Sequence, residues 1–188
     1  MNDTSYPGMQ TLIEAASRKG IALDIRLMPT STKTAEEAAA AVGVDLGRIV
    51  RTVVYVAPRR EGRPVTIVCL VSGCNRVDLG YLAAVTGEVN LRQATERETL
   101  ELTGYSIGAV PPFGYGRNVS TVMDQDLAQY EWVWAPVGPE RAIFRAAPQT
   151  LRALCNAMVA PVAATSWGHS PLSSQSEPEL RFGGGAGA

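Results

Sequence analysis

The sequence predicts an α+β fold: a single domain whose central sheet, mixed and mostly antiparallel, is flanked by helices. Three observations predict it. Valine-rich or alternating runs of strand length recur along the chain, notably 49–57 and 64–72. Between them lie short segments with helical spacing and side-chain caps. With 188 residues and 46% hydrophobic content, the chain is long enough to bury one sizeable core. Short connections then favour one sheet of about six strands.

The elements follow in order. Met9, Leu12, Ile13 and Ala16 have the spacing of an amphipathic helix over 9–19, ended by Gly20. Leu23, Ile25 and Leu27 alternate as a strand stopped by Pro29. Thr34 and Glu37 form a capping box that opens a helix running to Gly43. A brief helical turn at 45–48 leads into the buried strand 49–57, a charged turn at 59–63, and the returning strand 64–72. Asp78 caps a short helix through Val85, residues 89–91 are extended, and Thr95 with Glu98 caps a helix to Leu102. Strands are expected at 119–123, 131–135 and 141–146, with a turn or short helix at 124–129. Pro148, at a first helical position, starts a helix to about residue 158. The domain is therefore read as 1–159. Residues 160–188, rich in Pro, Ser, Gly and Ala, read as a flexible tail that truncation after Ala160 removes without loss of folding.

Composition excludes several functions. A formal net charge of −1 argues against a protein that coats DNA or RNA, although not against one that grips an RNA end. The three cysteines form no CxxC pair and read as reduced thiols of a cytoplasmic protein, with no signal peptide and no membrane-length apolar run. Cys69 and Cys74 have no base partner and read as ordinary thiols. The one histidine, His169, falls in the tail, so no histidine-based triad or metal motif belongs to the core. Asn118-Val119-Ser120 matches a glycosylation pattern by chance. Trp132 and Trp134 share a strand face, facing core or a dimer surface; monomer and homodimer both stay open.

Residues 103–116 stand apart, with four glycines, two prolines and three aromatics. Glycine permits positive φ and close approach, while proline fixes φ. Such a segment is a shaped loop rather than a helix or central strand, whether it lines a cleft or merely connects elements.

Four stretches in order carry a resemblance. They are 34–39 (Thr-Ala-Glu-Glu-Ala-Ala), 48–55 (Arg-Ile-Val-Arg-Thr-Val-Val-Tyr), the 103–116 loop, and Val137-Gly138 followed by 147–151 (Ala-Pro-Gln-Thr-Leu). Together they resemble the YbaK/ProX family of aminoacyl-tRNA deacylases, the freestanding trans-editing proteins related to the editing insertion of bacterial prolyl-tRNA synthetases. Arg51 stands where the family usually has its signature lysine. Ala109 replaces the second glycine of a Gly-Gly pair, and Pro136 takes a position often held by serine.

The resemblance implies hydrolysis of the ester joining a small amino acid to the terminal ribose of a mischarged tRNA, without cofactor or metal. Such an ester is activated, so placing a water and stabilising the oxyanion can supply the rate. Proton transfer would be substrate-assisted. Backbone N–H groups of Gly104, Gly108, Ala109 and Gly138 are the implied oxyanion donors. Arg51 would hold the terminal phosphate or orient the carbonyl; being always protonated, it is no general base. Its plainer reading is a solvated strand-edge arginine. Lys33 would share the lysine's role or stay solvated, and Thr34 would touch substrate besides capping its helix. Tyr105 and Phe113 would stack on the terminal adenine or pack the loop. Pro112 and Gly114 keep the family pattern, and Asp124 would orient the substrate amine or cap a turn. The implied partners are the aminoacyl-tRNA acceptor end and a synthetase, with no DNA and no membrane. A second class of function is a family member that has lost catalysis and binds aminoacyl-adenosine, a nucleotide or a synthetase.

Overall fold

The computed structural model describes residues 7–59, 61–117 and 119–164. Asn118, His169 and most of the expected tail, 165–188, lie outside the described residues.

Helix α1 (Pro7–Ser17) buries Met9, Leu12 and Ala16 on one face, as the spacing requires. Strand β1 (Asp24–Leu27) follows, and Thr34 caps α2 (Ala35–Val42) with both halves of the capping box formed. A single 3-10 turn at Leu46–Arg48 leads to β2 (Val50–Ala57), which pairs antiparallel with β3 (Val65–Ser72) from Val50↔Ser72 to Ala57↔Val65. Asp78 caps α3 (Leu79–Thr86), β4 is Arg92–Gln93, and Thr95 caps α4 (Glu96–Thr103) with a second capping box. After the glycine–proline loop come β5 (Ser120–Asp124), a 3-10 segment Gln125–Gln129, β6 (Val133–Pro136) and β7 (Ala142–Ala146). Helix α5 (Pro148–Cys155) and β8 (Met158–Ala160) complete the described chain.

The fold is α+β, and the expected single sheet is two sheets. A mixed five-stranded sheet has the order β4-β2-β3-β5-β8, and a smaller antiparallel sheet has the order β1-β7-β6. They touch through one bridge, Ile49↔Trp134. The main core lies between them: Leu12 from α1, Leu70 and Met123 from the large sheet, Phe144 from the small one, and Leu151 from α5. The opposite face of the large sheet is covered by Leu82 of α3 and by Val162. Burial on both faces explains why β2 and β3 read as valine runs rather than as alternation. Helix α2 lies on the small sheet, with Ala38 and Ala39 against Trp134 and Ile143.

The C-terminal boundary also differs from expectation. Residues 160–164 belong to the domain: β8 pairs parallel with β5, Val162 is fully buried, and the Ala164 N–H donates to the Arg76 carbonyl. Trp134 is buried in β6, whereas Trp132 precedes the strand and lies under the Arg145 guanidinium, 4.7 Å from its ring centroid. Among the described residues, no helix is long and apolar enough to cross a membrane.

Candidate active site

The principal cleft has a volume of about 880 Å³. It opens along the edge of β2 that β4 leaves uncovered, because β4 pairs only with Tyr55 and Val56 of that strand while β3 pairs along its whole length. Its walls are the start of α2, the Arg51–Tyr55 stretch of β2, the Gly73–Val77 turn after β3, and Ile107–Gly108 of the glycine–proline loop.

The α2 wall is fixed by its own cap. Thr34 Oγ1 accepts the Glu37 N–H at 3.1 Å, and Glu37 Oε2 accepts from the N–H groups of Lys33 and Thr34 and from Ser31 Oγ. The Ser31 hydroxyl first, then the Thr34 N–H, hold the Glu37 carboxyl below its usual range. Lys33 Nζ faces Glu140 at 3.1 Å, so its charge is already paired.

Opposite the Lys33 backbone sits Gly108, with φ +88°, where a Cβ would stand 2.7 Å from the Lys33 carbonyl oxygen. Only glycine combines that φ with that approach. Arg51 is exposed on β2 and has no carboxylate partner among the described residues; its Nη1 donates to the Asn75 carbonyl at 3.1 Å. Arg76, also exposed, adds a second cleft-lining cation without a carboxylate partner among them.

Behind the cleft, Asp124 ends β5 and is fully buried. Its Oδ2 accepts from Asn75 Nδ2 at 2.9 Å, and the same amide nitrogen donates to Asp126 Oδ2 at 2.7 Å. Burial pushes the Asp124 carboxyl up, while the Asn75 hydrogen bond opposes the shift.

The aminoacyl-tRNA editing domain family matches residues 30–154, a span that includes every wall of this cleft. The chain belongs to that family. A crystal structure of a candidate trans-editing enzyme for prolyl-tRNA synthetase superposes with a TM-score of 0.75 at 42% identity, covering 85% of this chain and 98% of that one. YwhH of Bacillus subtilis, an uncharacterized protein, is 29% identical over 128 residues, 68% of this chain and 78% of its own length. EbsC of Enterococcus faecalis, named as a candidate Cys-tRNA(Pro)/Cys-tRNA(Cys) deacylase, is 25% identical over 129 residues, 69% of this chain and 76% of its own.

Of the residues expected at the site of this editing domain, Lys33, Thr34, Arg51 and Gly108 meet at the cleft. The others are not among its lining residues. The Gly104 N–H caps α4 on the Leu100 carbonyl, and the Ala109 N–H donates to the Ser106 carbonyl, so neither is left to bind an oxyanion. Tyr105 is clamped rather than free to stack: its hydroxyl donates to the Gly8 carbonyl at 2.9 Å, and its ring leaves no room for a Cβ at Gly8 or Gly138. Gly138, with φ +115°, packs against Tyr105, and from this side the cleft is lined by Pro136 at the end of β6. Pro112 and Phe113 are buried, Phe113 edge-on to Phe144, and Gly114 packs on Leu12. Sequence reasoning did not single out Asn75 and Arg76. They sit in what reads as a plain turn, and nothing local shows that a buried aspartate 49 positions away engages Asn75.

Proposed function

We propose that this protein is a trans-editing hydrolase that cleaves the ester of tRNA mischarged with a small amino acid. Cysteinyl-tRNA(Pro) is the first substrate to test, given the name of the Enterococcus relative. One observation carries the reading: an arginine without a carboxylate partner and a positive-φ glycine line the same cleft, and no histidine lines it among the described residues.

Arg51 holds the phosphate of the terminal nucleotide, for which a guanidinium offers bidentate contact. The Gly108 N–H, brought close by the missing side chain, donates to the carbonyl oxygen as negative charge develops there. Water adds to the carbonyl carbon, the C–O bond to the ribose breaks, and the ribose oxygen takes a proton. The products are a free amino acid and deacylated tRNA. The neighbouring ribose hydroxyl relays the proton, so no protein base is required. Thr34 and Lys33 form the rim that positions the acceptor end, and a prolyl-tRNA synthetase is the natural donor of the substrate.

Single-turnover deacylation of cysteinyl-, alanyl- and seryl-tRNA(Pro) tests this, with wild type, Arg51→Lys and Arg51→Ala. Hydrolysis of one ester by wild type and Arg51→Lys, with at least a hundredfold loss in Arg51→Ala, is expected, the scale of removing a transition-state contact. Silence from wild type with hydrolysis by Arg51→Lys would instead identify a family member that now binds its ligand without cleaving it. Silence from both rejects the deacylase reading.

A further inference from the structure

Arg51 and Asp124 do not touch, yet a continuous set of hydrogen bonds joins them. The Asp124 carboxylate accepts from Asn75 Nδ2 at 2.9 Å, and the carbonyl of the same Asn75 accepts from Arg51 Nη1 at 3.1 Å. In the large sheet β3 separates β2 from β5, so the turn after β3 bridges them. We infer that Asp124 is a positioning residue for Arg51, acting through Asn75. The inference rests on the role proposed for Arg51 above.

The geometry favours a dedicated device over incidental packing. The Asn75 amide has two N–H groups, and both are spent on carboxylates, Asp124 and Asp126. A side chain held at both hydrogens cannot rotate, which fixes the peptide that follows and hence the direction of its carbonyl. The turn needs no such hold to close, because the Asn75 N–H already donates to the Ser72 carbonyl at 2.9 Å. The guanidinium at the other end is exposed and attached through a long, flexible side chain. One aimed carbonyl limits the directions in which Arg51 presents its remaining donors to a phosphate.

A double-mutant cycle tests this. Asn75→Ala keeps the carbonyl and removes the hold; Asp124→Asn leaves one neutral oxygen where the carboxylate offers two, one to the Asn75 amide and one to the Val162 N–H, and so weakens the hold. Each should slow single-turnover deacylation about tenfold, the size of one charge-assisted contact. In an Arg51→Ala background the same substitutions should cause no further loss. Equal losses in both backgrounds would overturn the inference, because a structural role does not depend on Arg51. Should Asp124→Asn fail to fold, Asn75→Ala decides alone. If wild type hydrolyses no ester, the deacylase reading fails separately. The guanidinium resonances of Arg51 then decide: loss of their dispersion in Asn75→Ala supports positioning, and unchanged resonances reject it.

Discussion

Gly108 shows how narrowly one backbone position is constrained. At φ +88° an alanine carries a left-handed penalty of about 1–2 kcal/mol. Its Cβ would also meet the Lys33 carbonyl at 2.7 Å, a backbone atom that cannot rotate away. Gly108→Ala should therefore part the loop from the α2 rim. The expected outcome is a fold that persists, with Tm a few degrees lower, and deacylation reduced at least tenfold; thermal melts alongside single-turnover assays check both. Gly108 and Arg51 come into view only through the family resemblance of the 103–116 loop and the 48–55 stretch; residue chemistry alone leaves Arg51 a solvated strand-edge arginine. Asn75 is not legible, since its importance comes from two carboxylates that reach it only through tertiary structure. Tyr105 and Phe113 show the converse limit. Aromatics in a loop look available to a base, but here one is tied to Gly8 and the other sits in the core.

The helix caps are the elements the sequence specifies most directly. A Thr-x-x-Glu box needs only residues three apart, and both boxes form as the spacing predicts. Thr34→Ala should cost about 1 kcal/mol in urea unfolding and loosen the cleft rim, raising KM more than it lowers kcat. The second box makes a pH prediction. Arg92, then the Thr95 N–H, holds the Glu98 carboxyl at about 2, below its ordinary value of 4.5. A carboxylate depressed on folding stabilises fully above the unfolded value and loses that contribution as pH falls through the folded one. Glu98→Gln should thus be less stable than wild type at pH 7 and converge with it towards pH 2, which urea midpoints across that range would show. Strands β4 and β8 are less legible. Two or three residues carry too little periodicity, and both exist because a neighbouring strand is there to pair with.

At the scale of the molecule, the division into two sheets is what sequence patterns express least. Alternation tells which face is buried but not which strand lies alongside, and the small sheet joins β1 to strands more than a hundred residues later. The C-terminal boundary has the same origin. Val162 reads as part of a low-complexity run, yet it is fully buried against the sheet. Truncation after residue 159 should cost about 2 kcal/mol through Val162 alone, whereas truncation after residue 164 should be milder, as paired urea titrations would show. Charge offers a further test. With a net charge of −1, the proposed grip on tRNA falls to few cations, chiefly Arg51 and Arg76. The logarithm of affinity should fall with the logarithm of salt with a slope of about −1.4, set by two single-stranded phosphates. A slope several times steeper would point to contact along the acceptor stem.

The Ala164 N–H is bonded to the Arg76 carbonyl, and Arg76 lines the cleft. The described residues therefore end beside the cleft proposed to admit the substrate. An affinity handle or carrier protein joined directly after residue 164 would stand in the path of an incoming acceptor end. Lengthening the joint in steps, and following tRNA affinity with each, would turn that crowding into a molecular ruler for the approach of the substrate.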